Sequence, residues 1–168
     1  MSGMDVRPTP DRLRETLFNI LTPVIGGAVF VDAYAGTGAV GIEALSRGAR
    51  HVVFIEKNRA AAELIQANLD ALGAGGRARV VQGSAGLHLG GIDADIYFLD
   101  PPYPKEREYA AAMEAFEGRR QGLVIFQHSS RLELPERFGA FQRYRALKQG
   151  DNALSFYRVA EWDGNPAR

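Results

Sequence analysis

The sequence predicts an α/β fold with a mostly parallel sheet, and three observations carry that prediction. Short apolar runs alternate with stretches of helical periodicity along the chain. Three of those runs end on an acid, at Asp32, Glu56 and Asp100. A glycine-rich turn joins the first of them to the helix that follows. The 168 residues suit one domain, 1–168, with an N-terminal helical segment over 1–26 and an α/β core over 28–160.

The elements follow in order. A helix is predicted from Pro10 to Leu21. Thr9 can cap it, Pro10 suits its first turn, and Asp11 favours its positive end. Leu13, Leu17, Ile20 and Leu21 share one face, and Pro23 with Gly26-Gly27 should stop the helix. Ala28–Asp32 reads as a buried strand, and Val40–Arg47 as the next helix. His51–Glu56 is a second buried strand. Asn58 caps a helix that ends at Leu72 before Gly73. Arg79–Gln82 is a third strand, Asp95–Asp100 a fourth, Tyr109–Phe116 a helix and Leu123–His128 a fifth strand. Two β-rich stretches close the chain, Phe138–Leu147 and Ala153–Val159, joined through Gly150-Asp151-Asn152. So short a turn makes that last pair antiparallel.

Composition removes several classes of chemistry. There is no cysteine, so disulfides, thiolate metal sites and cysteine nucleophiles are excluded. His51, His88 and His128 lie far apart without metal-ligand spacing, so no metal is expected. No apolar run approaches the roughly 20 residues of a membrane span. Met1–Arg7 is polar and lacks a signal-peptide core. The expectation is a soluble, cytoplasmic protein. The formal net charge is +0, which argues against strong grip on naked nucleic acid unless charge is gathered on one face.

In open parallel sheets, ligands bind beyond the carboxyl ends of the strands. Asp32-Ala33-Tyr34-Ala35-Gly36-Thr37-Gly38-Ala39-Val40-Gly41 forms the turn at the first such end. Gly36 and Gly38 permit close backbone approach, and Gly41 permits close helix–strand packing. The glycine spacing alone also describes dinucleotide sites. Asp32 separates the two cases: a carboxylate here opposes a pyrophosphate and suits the cationic end of S-adenosylmethionine. Glu56 can accept hydrogen bonds from both ribose hydroxyls. Ser84 and Ala85, after the third strand, stand where the adenine amine can be met, with Ile55 and Leu87 as candidate walls.

Asp100-Pro101-Pro102-Tyr103 is the most specific motif. Two prolines stiffen the turn and remove donors, leaving the Asp100 carboxylate and the Pro101 carbonyl as acceptors. Such a pair can hold both protons of an exocyclic amine and aim its nitrogen at a methyl group. Tyr103 offers a face on which a base can stack. Lys105 and Arg107 can guide a nucleic-acid loop locally.

These residues carry a family resemblance. Arg7-Pro8-Thr9-Pro10-Asp11-Arg12-Leu13-Arg14-Glu15 through Asn19 resembles a segment of the bacterial 16S rRNA guanine-N2 methyltransferases. Tyr34–Ala49 and Asp100–Tyr103 resemble two further segments of the same family. The resemblance runs from Arg7 to Val159. It implies a Rossmann-like class I methyltransferase fold, with a mostly parallel seven-stranded sheet, an antiparallel C-terminal hairpin strand and helices on both faces. It implies S-adenosylmethionine as cofactor, held by the Asp32–Gly38 turn and Glu56. It implies 16S rRNA as partner, and the neutral charge adds an assembled or partly assembled 30S subunit as the preferred form. It implies that Arg7–Phe18, with Arg7, Thr9, Arg12 and Arg14, closes over the cofactor or touches RNA. Two departures stand out. The basic β-hairpin that precedes the Arg7 segment in relatives has no counterpart in the few residues before Arg7, and Ser84 replaces the usual Asp or Asn. The rival readings are an amino-methyltransferase for DNA adenine N6 or protein glutamine, a non-enzymatic RNA-binding assembly factor, and an NAD oxidoreductase.

Overall fold

The fold is described from a computed structural model, over residues 10–102 and 106–160. Thirteen elements are α1 (Asp11–Ile25), β1 (Val29–Asp32), α2 (Ala39–Ser46), β2 (His51–Glu56), α3 (Arg59–Ala71), β3 (Ala78–Gln82), α4 (Ala85–His88), β4 (Ile96–Leu99), α5 (Glu106–Glu114), β5 (Leu123–Ser129), β6 (Arg137–Phe138), β7 (Phe141–Gln149) and β8 (Asn152–Val159). Short 3-10 turns lie at Gly75–Arg77 and Leu89–Gly91.

One eight-stranded sheet has the order β3-β2-β1-β4-β5-β8-β7-β6. β1 to β5 are mutually parallel, and β8 enters antiparallel between β5 and β7. Alternation along the strands sends side chains to two cores. Phe30, Phe54, Phe98, Ile125, Leu154 and Phe156 pack with α1 and α2 on one face. Val31, Val53, Tyr97, Val124, Phe126 and Tyr157 pack with α5 on the other. A sheet buried on both faces explains why its parallel strands read as continuous apolar runs.

The departures from expectation have physical causes. Thr9 lies outside the described residues, and Pro10 sits at the N-cap with ψ 134° rather than in the first turn. α1 passes Pro23 and ends at Gly26, because Leu21 and Ile25 keep its buried face filled for one more turn. The expected strand from Phe138 to Leu147 is two strands, folded back at Gly139, where φ is 55°. That extra two-residue strand makes the sheet eight-stranded rather than seven-stranded. α4 was not expected; four residues are too few for a periodic pattern. Asn58 caps α3 as expected, its Oδ1 accepting from Ala61 N at 2.9 Å. No helix among the described residues is long and apolar enough to cross a membrane.

Candidate active site

β1 lies between β2 and β4, where the strand order reverses, and the crevice opens at the carboxyl ends of these strands. The cleft there is lined by Asp32, Tyr34, Ala35, Thr37, Ala39, Val40, Phe98 and Asp100. Two backbone bonds fix its floor: Ala33 N donates to Phe98 O at 3.0 Å, and Ala35 N donates to Ile55 O at 2.9 Å. Gly36 and Gly38 take φ of 58° and 82°, which only glycine adopts at low cost. A Cβ on Gly38 would also lie 3.1 Å from Ile65 Cγ1.

Asp32 departs from the expectation of an open charge at the strand's mouth. It is 1% exposed, and its Oδ2 accepts from Gly41 N at 2.9 Å. Gly38, the N-cap of α2, has no side chain, so Asp32 takes over the capping of that helix. Burial pushes its carboxyl up to about 8, with Asp100 and Glu56 nearby adding to the rise and the Gly41 bond opposing it. Below that value the acid is neutral, so against a pyrophosphate it acts by occupying one N–H at the start of α2, that of Gly41, rather than by its charge.

Glu56 is used twice by the backbone. Its Oε1 accepts from Gly36 N at 2.7 Å and its Oε2 from Asn58 N at 2.7 Å. One carboxylate therefore ties the glycine turn after β1 to the start of α3. Each oxygen retains a second lone-pair direction, enough for a pair of ribose hydroxyls.

Asp100 follows β4 at the same cleft, with Pro101 buried and Pro102 exposed beside it. Tyr109 of α5 comes close: burial, then Asp100 and Tyr34, push its phenol up, and its hydroxyl donates to Gln127 O at 3.1 Å. Gln127 is a residue that sequence reasoning missed. It follows Phe126, which pairs with Leu99, so it lies one strand over from Asp100. It stands opposite Leu154, on the α1 side of the sheet. Gln127 is 5% exposed, and its Oε1 is buried with no hydrogen-bond partner among the described residues. In the sequence it stands where the apolar run Leu123–Phe126 gives way to His128 and Ser129, and nothing local marks it.

The remaining expected residues are scattered. Ala33 and Ala35 are buried, and Tyr34 is half-buried on the cleft wall. Ser84 precedes α4 without capping it by a side-chain bond, and Ala85 is buried. Of the two candidate adenine walls, Leu87 is exposed and Ile55 lies wholly within the α5-side core. Arg12 and Arg107 are exposed, while Arg14 is half-buried and meets Asp11 at 3.1 Å. Tyr103, Lys105, Arg7 and Thr9 lie outside the described residues. Among the described residues no group of three or more His, Asp or Glu could hold a metal ion.

Comparison with known proteins follows the same lines. The family model described as conserved hypothetical protein 95 matches residues 1–158. YlbH of Bacillus subtilis, provisionally named an rRNA methyltransferase, is 31% identical over 167 residues, 94% of this chain and 90% of that protein. Ribosomal RNA small subunit methyltransferase D of Escherichia coli is 49% identical over 100 residues, 58% of this chain and 50% of that protein. The chain thus matches about half the length of that second relative. The solved structure of yhhF from Escherichia coli, provisionally named a methyltransferase, has a TM-score of 0.82 at 35% identity, over 93% of this chain and 91% of that one. A match running through nearly every element, glycine turn and proline turn included, assigns the chain to the conserved hypothetical protein 95 family, class I methyltransferases in fold and kin to the small-subunit methyltransferase D proteins.

Proposed function

We propose that this protein transfers a methyl group from S-adenosylmethionine to the exocyclic N2 amine of a guanine in 16S rRNA, acting as one catalytic domain. The observation that carries the reading is that Asp32 and Asp100 line the same cleft, one from the glycine turn and one from the proline turn. The names of the relatives support rRNA as the substrate class.

The residues present fit the cofactor. Gly36 and Gly38 clear the backbone for close approach, Glu56 offers acceptors to the ribose, and Asp32 offers a buried acid to a cationic group. S-adenosylmethionine supplies an electrophilic methyl on a sulfonium. The work of the chain is placement, which can supply on the order of 7–11 kcal/mol in favourable cases. Asp100 and the Pro101 carbonyl hold the amine protons so that its lone pair faces the methyl. With the cofactor bound, the electron pair of the breaking S–C bond would stay on sulfur, and Asp100 would take the proton that the newly methylated nitrogen sheds.

Gln127 supports guanine over the other bases. Guanine presents an N1–H donor beside its amine, whereas adenine and cytosine present a ring acceptor there. Gln127, one strand over from Asp100, would supply a second acceptor beside the Asp100 carboxylate, a pairing that suits guanine. The flipped base leaves its stack at a cost of a few kcal/mol, and stacking on Tyr103 returns about 1–3 kcal/mol.

The test is transfer from labelled cofactor to protein-free 16S rRNA, to 30S particles and to double-stranded DNA at one salt concentration. N2-methylguanine in the RNA, with particles the better substrate, is expected. Preference for DNA, or label on adenine, rejects the reading.

A further inference from the structure

The chain has 20 basic and 20 acidic residues, but they are unevenly spread. From Arg137 to Arg158 there are five basic residues, Arg137, Arg143, Arg145, Lys148 and Arg158, and one acid, Asp151. This ribbon, β6 to β8, therefore carries +4 and the rest of the chain −4. A polyanion meeting such a molecule is turned so that the ribbon faces it.

The register gathers part of this charge on one face. Arg137 stands opposite Gln142, and Gln142 opposite Arg158, a row across three strands. Arg158 also stands opposite Leu123, whose side chain belongs to the core beneath α1. The row thus faces the α1 side, beyond the helix itself. A β-bulge adds to it. Pairing steps from Arg143–Tyr157 to Arg145–Phe156, leaving Tyr144 as the extra residue. Tyr157 belongs to the α5-side core and Phe156 to the α1-side core. Without the bulge, Arg143 and Arg145 would share a face. With it, Arg145 joins Arg137 and Arg158. Tyr144 lies on that face too, its ring 6.3 Å from that of Phe156 and 4.0 Å below the Arg158 guanidinium.

Arg137, Tyr144, Arg145 and Arg158 are all exposed. Among the described residues, none of the three arginines meets a carboxylate within ion-pair distance. A guanidinium stacked on a ring keeps its in-plane donors available to phosphate oxygens. The ribbon also runs to the cleft's edge of the sheet: from the Arg137–Arg158 row, level with Leu123 at the start of β5, β7 reaches Gln149, level with Ser129 at the end of β5, where its Nε2 donates to Thr16 Oγ1 of α1 at 2.9 Å. From Gln142 to Gln149 is about 23 Å of extended strand, long enough for several nucleotides.

We infer that the α1-side face of this ribbon, with Arg137, Arg145, Arg158 and Tyr144, docks the phosphate backbone of the RNA substrate and supplies most of the protein's salt-sensitive affinity. This rests on the RNA reading given above. It concerns residues that no motif marks, more than one strand away from the amine-binding turn.

The experiment compares the intact protein with the triple variant Arg137→Gln/Arg145→Gln/Arg158→Gln. Binding to a 16S rRNA fragment and to 30S particles is measured at several salt concentrations, with S-adenosylmethionine affinity as the check on folding. Three lost phosphate contacts should lower the slope of log Kd against log salt by about 2, while cofactor affinity stays unchanged. Tyr144→Ala, by loosening Arg158, should give part of the same loss. An unchanged slope and affinity in the triple variant, with the intact protein still methylating RNA, overturns the docking face and leaves the RNA reading standing. Loss on particles alone, with fragment binding intact, overturns it in favour of a ribosomal-protein contact. An intact protein that methylates no RNA removes the substrate reading itself.

Discussion

Asp32 shows how one residue can carry both a structural and a ligand-binding duty. Burial, assisted by Asp100 and Glu56, raises its carboxyl from 3.8 to about 8. A raised folded value means that its contribution to stability is full below the unfolded value and is lost as pH rises toward 8. The free protein should therefore melt at lower temperature as pH climbs from 6 to 8.5, and Asp32→Asn should flatten that slope. A bound cation favours the carboxylate, so cofactor binding near pH 7 should release a proton. Calorimetry in two buffers of different ionisation heat checks this; identical heats would remove Asp32 from the cationic subsite. Glu56→Ala should weaken S-adenosylmethionine by about 1.5–3 kcal/mol, read by the same titration. Glu56→Gln should weaken it too, because an amide cannot accept through both ends from Gly36 and Asn58. Gln127→Met should behave differently. Removing a buried, unpartnered carbonyl should leave stability unchanged or raised by about 1 kcal/mol, while kcat/KM on RNA falls at least tenfold. Stability lost together with activity would make Gln127 a core residue and nothing more.

At the level of elements, the glycine turn and the helix behind it form one device. Gly41 donates to Asp32, and a Cβ at Gly41 would sit 2.2 Å from Phe54 Cε2 of β2. Gly41→Ala should thus force α2 off the sheet, costing about 1–3 kcal/mol in urea unfolding and lowering cofactor affinity as well. Phe54→Leu should recover part of both losses if the clash is the cause. Elements like this one were plain in the sequence, because a strand ending on Asp32 and a turn of Gly36, Gly38 and Gly41 are local facts. Other features depended on tertiary packing. Pro23 reads as a stop, yet burial of Ile25 carries α1 past it. Phe138 to Leu147 reads as one strand, yet Gly139 folds it in two. The bulge at Tyr144 has no local marker at all, since its meaning comes from what β8 places opposite. For the same reason Gln127 and the arginine face escape a reading by motif: each is defined by a neighbour far along the chain.

The whole molecule turns on β8, the last of the described strands, lying between β5 and β7. Its Leu154 and Phe156 share one core with Leu13, Leu17 and Phe18 of α1. Gln149 and Thr16, 133 positions apart, join by a hydrogen bond. During synthesis, α1 leaves the ribosome well before β8 does and has no complete seat until β8 has followed it. β5 likewise waits with one edge unpaired, and β7 has no place in the sheet before β8 arrives. Such long-range closure is slow to form. A chain stalled before Asn152 should be cut by protease within α1, whereas one that carries β8 should resist; equal resistance would show that α1 docks without β8. An enzyme proposed to act on ribosomal RNA would thus keep α1 and β5 open for as long as β8 stays inside the ribosome that makes it.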